Sequence, residues 1–180
     1  PMYTLEYDPA FEGQNIRLEA KYSPCWYVDP SKSDDNSGRS WGDAKQSLAE
    51  VMKLALPGDT VYAEEGTYDI GDMIQHENSY RSNALLRARV VIPDGVSLVS
   101  RRGPDKTFIE GRAATENANA FGCGPDALRC VYMYPNTLLQ GFTLRGGRTY
   151  GYTDSLDDNN RGAGVHGWYL KDSIVKDCVI

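Results

Sequence analysis

The segments LLQGFTL (residues 138–144) and IVKDCVI (residues 174–180) align without a gap at an offset of 36 residues. Apolar residues coincide at the first two positions, at the fifth and at the last. Short strands that recur with insertions between them are typical of a stacked solenoid. Inward side chains of such a solenoid stack on their equivalents in the next coil, which predicts Leu138 on Ile174, Phe142 on Cys178 and Leu144 on Ile180.

Further short strands precede this repeat. Residues 130–133 and 164–166 match each other upstream of the two segments, and Val91-Ile92-Pro93-Asp94 loosely matches Met133-Tyr134-Pro135-Asn136. Each apolar run is three to five residues long and ends at Gly, Pro, Asp or Asn, which indicates strands and turns. No second helix separates the runs, so repeated βαβ units are excluded. The predicted strands are 60–63, 89–92, 96–99, 107–109, 130–133, 138–139, 142–144, 165–166, 174–175 and 178–180.

One helix is predicted before these strands. Residues 29–42 are a polar, turn-rich loop, and Asp43 then stands at a capping position. Apolar residues recur at helical spacing over 43–56, and Pro57-Gly58 ends the pattern. The apolar face comprises Ala44, Leu48, Val51, Met52 and Ala55.

The composition limits the function. The chain has 180 residues, of which 41% are hydrophobic and 24% are charged, so it can bury a core. The net charge of −6 argues against a nucleic-acid partner. No apolar run has the length of a membrane helix, so no membrane span is expected.

Several motifs resemble right-handed parallel β-helix proteins of the pectin-lyase-like class. The N-terminal cap and first coil of that class are similar to Tyr27-Val28-Asp29-Pro30, Gly38, Trp41, the stretch 57–62 and Gly66-Thr67-Tyr68. The next coil resembles residues 103–111. Later coils resemble residues 129–133, Gly141-Phe142-Thr143-Leu144 and Gly162-Ala163-Gly164-Val165. The resemblance covers residues 26–180.

The resemblance implies an all-β fold: a right-handed, single-stranded parallel β-helix solenoid with an N-terminal amphipathic capping helix. Residues 1–28 are then an N-terminal extension with strands, 29–59 the cap loop and capping helix, and 60–180 about four coils. The pattern stops at Ile180 in mid-coil, so we expect a solenoid truncated at its C-terminus. Remaining C-terminal coils or another chain would cover the open end.

The same resemblance implies a secreted or cell-surface bacterial protein that recognises or processes extracellular polysaccharide, in the manner of a lyase or a hydrolase. The fold hosts many functions, so this expectation rests on analogy. The alternative is a noncatalytic structural or adhesive surface solenoid, or a fragment that lacks an active site.

Lyases of this class combine a basic residue with a cation such as Ca²⁺, which several oxygen ligands must hold. The insertion at 146–162 carries metal candidates Asp154, Asp157 and Asp158. Its alternative interpretation is a solvated loop. Nearby catalytic candidates are Arg145, Arg148, Lys171 and His166; His166 is a candidate acid or base, or else an outward residue on a strand face.

Aromatic residues cluster around the same insertion: Tyr150, Tyr152, Trp168 and Tyr169. Sugars bind to flat aromatic faces together with hydrogen bonds, so these four are the predicted substrate-binding residues. Packing of the insertion onto the solenoid is the alternative.

The cysteines do not form a zinc motif. Cys123 and Cys130 flank a Gly-Pro-Asp turn and either form a disulfide in an oxidising compartment or remain separate thiols. Cys178 is predicted to be a small apolar residue in a strand.

Overall fold

The computed structural model describes residues 25–75, 86–151, 162–167 and 169–180. Short strands, one short α-helix and a 3-10 helix (Trp41–Asp43) make up the regular structure of these residues. The elements are β1 (Cys25–Val28), α1 (Leu48–Met52), β2 (Thr60–Ala63), β3 (Gly66–Tyr68), β4 (Met73–Gln75), β5 (Leu86–Ile92), β6 (Ser97–Ser100), β7 (Thr107–Glu110), β8 (Arg129–Met133), β9 (Leu138–Gln140), β10 (Thr143–Arg145), β11 (Val165–Gly167) and β12 (Ile174–Lys176).

The strands form three sheets that the chain visits in turn. Sheet A has the order β1-β2-β6-β9-β12, sheet B the order β3-β7-β10, and sheet C the order β4-β5-β8-β11. Pairing is parallel throughout except between β4 and β5. Strands β2 to β11 therefore make three complete turns of a parallel-sheet β-solenoid, with β1 before and β12 after them. The predicted all-β solenoid is confirmed, with three complete turns in place of about four.

The predicted 36-residue offset is the register between β9 and β12, where Ile174 pairs with Leu138. A parallel bridge between Thr143 and Val179 has the same offset. The predicted inward stacking of Leu138 on Ile174 is wrong, because the buried residue of β9 is Leu139, which pairs with Val175. Val165 pairs with Val131 at an offset of 34 residues.

The looser match upstream is wrong by one residue, because Val91 pairs with Tyr132. In the observed register the inward residues Val90 and Ile92 stack on Val131 and Met133. Pro93 and Pro135 are then not at equivalent positions.

The core is a set of stacked columns. One column runs through sheet A at Trp26, Val61, Leu98 and Leu139, which are at most 5% exposed. The same column ends at Val175, which is 42% exposed. Burial of such residues supplies most of the stability of a solenoid, since each coil contacts only its neighbours.

The helix is shorter than the sequence predicts, and its predicted cap is wrong. Residue 45 forms a parallel bridge with Val28, so strand-like pairing occupies the first part of the predicted helix. The N-cap is Ser47, whose hydroxyl accepts a hydrogen bond from the Glu50 N–H at 3.3 Å. The apolar side chains of α1 nevertheless join the main core cluster: Leu48, Val51 and Met52.

A left-handed residue stands two positions before each strand of sheet A from β2 onward. The φ values are 96° at Gly58, 73° at Gly95, 56° at Asn136 and 54° at Asp172. Gly, Asn and Asp are the residues that adopt this conformation at least cost. The stacked turns also hydrogen-bond to each other through the backbone: Gly58 to Gly95 (2.9 Å), Gly95 to Pro135 (3.1 Å) and Asn136 to Lys171 (2.8 Å).

Long insertions leave the solenoid at a single corner. Residues 69–85 separate β3 from β5 and include β4, and residues 111–128 and 146–164 connect sheet B to sheet C in the next two turns. The other connections within the three turns span six residues or fewer. Because successive coils are in register, the three insertions emerge side by side.

All four cysteines are free thiols. Cys130 is fully buried, and Cys178 is half-buried against the main core cluster, so both behave as small apolar residues. Within the part of the chain that the structure describes, no helix has the length and apolarity of a membrane span.

We predict that Leu139→Ala lowers the free energy of unfolding by about 2–5 kcal/mol, because it opens a cavity in the stacked column. Urea unfolding measures the change. Leu56→Ala is the matched control, since Leu56 is 65% exposed and its loss should change stability by about 0.5 kcal/mol or less. Equal effects of the two substitutions would contradict the stacked core.

Candidate functional site

The corner between sheets B and C carries five arginines and five carboxylates, and three of the arginines pair with carboxylates there. We call it the insertion corner and define it as the described residues 69–75, 110–128 and 145–151 together with Arg87 and Arg89 of β5. Each of the three turns contributes to it. The arginines at this corner are Arg87, Arg89, Arg112, Arg145 and Arg148.

Arg89 connects the bases of the first two insertions. It is only 5% exposed, and its guanidinium donates to the carbonyl of Glu110 at 2.7 Å and to the carbonyl of Gly71. Burial lowers the pKa of Arg89, while the nearby carboxylate of Asp69 opposes that shift. Its hydrogen bonds to backbone carbonyls give Arg89 a structural role at the corner.

Three other arginines pair with carboxylates. Arg87 lies 2.5 Å from Asp72, Arg145 lies 3.3 Å from Glu110, and Arg112 lies 3.5 Å from Asp126. The Arg145 guanidinium also lies 4.4 Å from the ring centre of Phe108. These pairs are largely exposed, so each contributes little to stability, and they remain accessible to a ligand.

The second insertion is closed at its base and braced inside. Arg112 and Leu128 exchange two backbone hydrogen bonds, of 3.1 and 2.9 Å. The Asp126 carboxylate accepts hydrogen bonds from the Thr115 hydroxyl (2.5 Å), the Thr115 N–H and the Glu116 N–H. These bonds lower the pKa of Asp126 to about 2. The insertion is thus held in one conformation by its own polar groups.

The tip of this insertion presents an aromatic ring. The Asn119 side chain accepts hydrogen bonds from the backbone N–H groups of Phe121 (2.9 Å) and Cys123 (3.1 Å), which closes a tight turn. The Phe121 side chain on that turn is 79% exposed. A large apolar ring is therefore displayed on a well-bonded turn.

Arg148 lies beside that tip. Its Nε donates to the Phe121 carbonyl at 3.0 Å, and its guanidinium also donates to the Gly147 carbonyl at 2.8 Å. The side chain is exposed, and it makes no ion pair with a carboxylate among the described residues. Its remaining N–H groups are oriented by the backbone and open to solvent, as an anion-binding arginine requires.

The structure places the predicted catalytic residues at two corners. Arg145 and Arg148 lie at the insertion corner, together with the predicted substrate-binding residue Tyr150. His166 lies in β11 on the outer side of sheet C, is 8% exposed, and has its ring 5.5 Å from that of Tyr132. Lys171 and Tyr169 lie on the next connection, between sheets C and A, and are not brought to the insertion corner.

The remaining predicted residues lie outside the described part of the chain. They are Tyr152, Trp168 and the three metal candidates Asp154, Asp157 and Asp158. Over the described ranges, no group of three His, Cys, Asp or Glu side chains is arranged to hold a metal ion.

The sequence interpretation missed the second insertion. Glu110, Arg112, Phe121 and Asp126 are scattered through residues 110–126 and form no recognisable motif. The signal that could have identified them is their place in the repeat: the second insertion follows β7, which is the equivalent of β10 one coil earlier. That equivalence becomes visible only when the strand register is known.

Comparisons with models of protein families, with curated proteins and with solved structures find no match. The resemblance to the pectin-lyase-like class therefore stays a prediction from motifs, and the geometry of the chain itself has to support a function.

We predict that the stabilising effect of the Asp126 carboxylate depends on pH. Its pKa is about 2 in the folded chain and about 3.9 in an unfolded one. The stabilisation is present above pH 4 and is lost as the pH falls toward 2. Urea unfolding of wild type and Asp126→Asn should show a stability gap at neutral pH that closes over this range.

Asp105→Asn is the control for this measurement, because the exposed Asp105 carboxylate accepts no hydrogen bond among the described residues. A gap between wild type and Asp126→Asn that stays constant down to pH 2 would contradict the role assigned to Asp126.

Proposed function

We propose that the insertion corner recognises an acidic extracellular polysaccharide. The observation that carries this proposal is Arg148, an exposed guanidinium that is oriented by two backbone carbonyls and has no carboxylate partner among the described residues. A guanidinium with this freedom binds a sugar carboxylate or sulfate through paired hydrogen bonds.

Phe121 supports a sugar ring at the same place. Phe121 neighbours Arg148, because the Arg148 Nε donates to the Phe121 backbone carbonyl at 3.0 Å, and the Phe121 side chain is 79% exposed. A pyranose can stack its C–H face on this ring while its acidic group reaches the arginine. The turn is already held by Asn119, so little conformational entropy is lost when a ligand binds.

Arg112 and Arg145 extend the site along the solenoid axis. Each is exposed and paired with one carboxylate, Asp126 or Glu110, at 3.3–3.5 Å. Successive coils are about 4.8 Å apart. An extended chain of sugars that runs across the coils would therefore meet a guanidinium on more than one coil.

The finer description of the fold belongs to the same proposal. We propose a right-handed solenoid of the pectin-lyase-like class, since connections between parallel strands of one sheet are right-handed in about 98% of cases. Helix α1 would cap its N-terminal end, which is supported by the burial of Leu48, Val51 and Met52 in the core cluster. A polysaccharide partner supports a secreted or cell-surface location in a bacterium.

The insertion corner could serve either of two functions: binding of the polysaccharide alone, or binding followed by cleavage. A lyase at this corner would use Arg145 or Arg148 as the base and Ca²⁺ held by the 146–162 insertion. A noncatalytic surface solenoid would use the same arginines for binding alone. A lyase releases an unsaturated sugar that can be measured, whereas a noncatalytic binding protein releases none.

We predict that Arg148→Ala weakens retention in gels that contain an acidic polysaccharide, such as polygalacturonate, alginate or a glycosaminoglycan, by about tenfold in Kd. Loss of one charge-assisted interaction corresponds to about 1.5 kcal/mol or more. Native affinity electrophoresis measures the change. Arg102→Ala is the control, because Arg102 is similarly exposed but lies at another corner, 3.2 Å from Glu64.

Equal retention of wild type and Arg148→Ala on every acidic gel would refute the site. In the same samples, with and without Ca²⁺, a rise in ultraviolet absorbance from the unsaturated product would indicate a lyase. Retention without that rise would indicate the noncatalytic form.

A further inference from the structure

A second surface, on the outer face of sheet A, carries three neighbouring aromatic rings. Tyr27 of β1 and Tyr62 of β2 are paired in register, point outward and are half-buried. Their rings stack with centroids 6.1 Å apart at 29°. Trp41 packs its ring against Tyr27 at 4.8 Å and 62°. We call Tyr27, Tyr62 and Trp41 the sheet A platform.

The platform is held in place by the backbone. The Tyr27 N–H donates to the Gly38 carbonyl at 2.9 Å, and the Lys45 N–H donates to the Tyr27 carbonyl at 3.0 Å. These bonds fix the loop that carries Trp41 along the edge of β1. The rings therefore keep their relative positions without a ligand, which reduces the entropic cost of binding.

The polar edges of the rings make no hydrogen bonds within the part of the chain that the structure describes. The hydroxyls of Tyr27 and Tyr62 and the indole Nε1–H of Trp41 make no hydrogen bond to any described residue. By contrast, the Nε1–H of the buried Trp26 donates to Asp59 at 2.8 Å. Three rings thus combine apolar faces with available hydrogen-bonding groups, the pattern of a site for a hydroxyl-rich ligand.

The charged side chains beside the platform are already paired. Arg101 lies 5.0 Å from the Trp41 ring and 2.6 Å from Glu64, and Arg102 lies 3.2 Å from the same carboxylate. Burial by itself raises the pKa of Glu64, but hydrogen bonds from the two arginines and a backbone N–H outweigh it and lower the pKa. Glu64 therefore stays ionised and keeps both arginines occupied near neutral pH.

We propose that the sheet A platform is a second carbohydrate site, which binds an uncharged chain of pyranoses with equatorial hydroxyls. Such sugars have flat C–H faces that stack on Tyr27, Tyr62 and Trp41, and hydroxyls that reach the unused polar groups. The platform lies on a different flank from the insertion corner, and it differs from that corner in having its nearest arginines neutralised.

The column in register with the platform favours an extended chain. Beyond Tyr62 the same outward column continues through Val99 and Gln140, which are half-buried. It forms a row along the solenoid axis with one side chain on each coil. A chain of several sugars laid along this row contacts more than one coil, so affinity should rise with chain length.

The test titrates the full ¹⁵N-labelled chain with cellohexaose and xylohexaose at millimolar concentrations, and follows the indole N–H signals. We expect a saturable shift of the Trp41 signal, assigned with Trp41→Phe, for at least one of the two. The Trp26 signal should stay fixed, because that N–H is buried and bound to Asp59. A trisaccharide of the same sugar should bind more weakly.

Variants separate a binding role from a packing role. Tyr62→Ala should raise Kd about tenfold, and Tyr62→Phe, which keeps the ring and removes the hydroxyl, should raise it a few-fold. If Tyr62→Ala does not fold, the change in Kd of Tyr62→Phe still tests the binding role of this residue. Leu56→Ala removes an exposed apolar side chain elsewhere and should leave Kd unchanged.

Three outcomes would overturn the proposal: no Trp41 shift with any neutral oligosaccharide, a shift that Tyr62→Ala and Tyr62→Phe leave unaltered, or a shift with trigalacturonate alone. Arg148→Ala keeps the two sites distinguishable. It should weaken retention by acidic gels about tenfold in Kd and leave the Trp41 titration as in wild type.

Discussion

The parallel, in-register hydrogen bonding of one coil to the next is the constraint on which the rest of this structure depends. Each strand of sheet A pairs with its equivalent in the neighbouring coil, and the turns between sheets C and A continue the bonding through residues such as Gly95 and Asn136. Once this register is set, inward residues must stack on inward residues. A shift by one position would turn every side chain to the opposite face.

This constraint explains why the surface is divided into different regions. The core columns and the turns with left-handed residues tolerate little variation, because each coil must match its neighbour. Extra residues are accommodated where they do not disturb the strand pairing, at the corner between sheets B and C. The bases of three insertions lie side by side there, and they bring Arg112 close to Arg145 and Arg148, which come much later in the chain.

The two candidate surfaces differ in whether their arginines are paired with carboxylates. At the insertion corner the backbone orients Arg148, and no described carboxylate neutralises it, which suits an anion. On sheet A the nearest guanidiniums are bound to Glu64, and the exposed chemistry consists of aromatic faces with free hydroxyl and indole groups. The same scaffold thus presents a charged site on one flank and an uncharged one on another, without a change in the core.

The sequence by itself determined the strand-and-turn character, the 36-residue repeat and the parallel solenoid. Apolar periodicity and Gly, Pro, Asp or Asn turns are local signals that persist in the folded chain. The predicted helix over 43–56 was too long, because residues around Lys45 pair with β1 instead, and only tertiary contact selects that pairing. The neighbours Arg145 and Arg148 could be found together because they are close in sequence.

Only the tertiary structure decided which distant residues share a surface. Phe121 meets Arg148, and Tyr27 meets Tyr62 and Trp41, through the register and the stacking of coils. No local pattern contains that information, since the partners are separated by insertions of unrelated sequence. The chain's periodicity specifies that coils stack, whereas hydrogen bonding between coils specifies which side chains become neighbours.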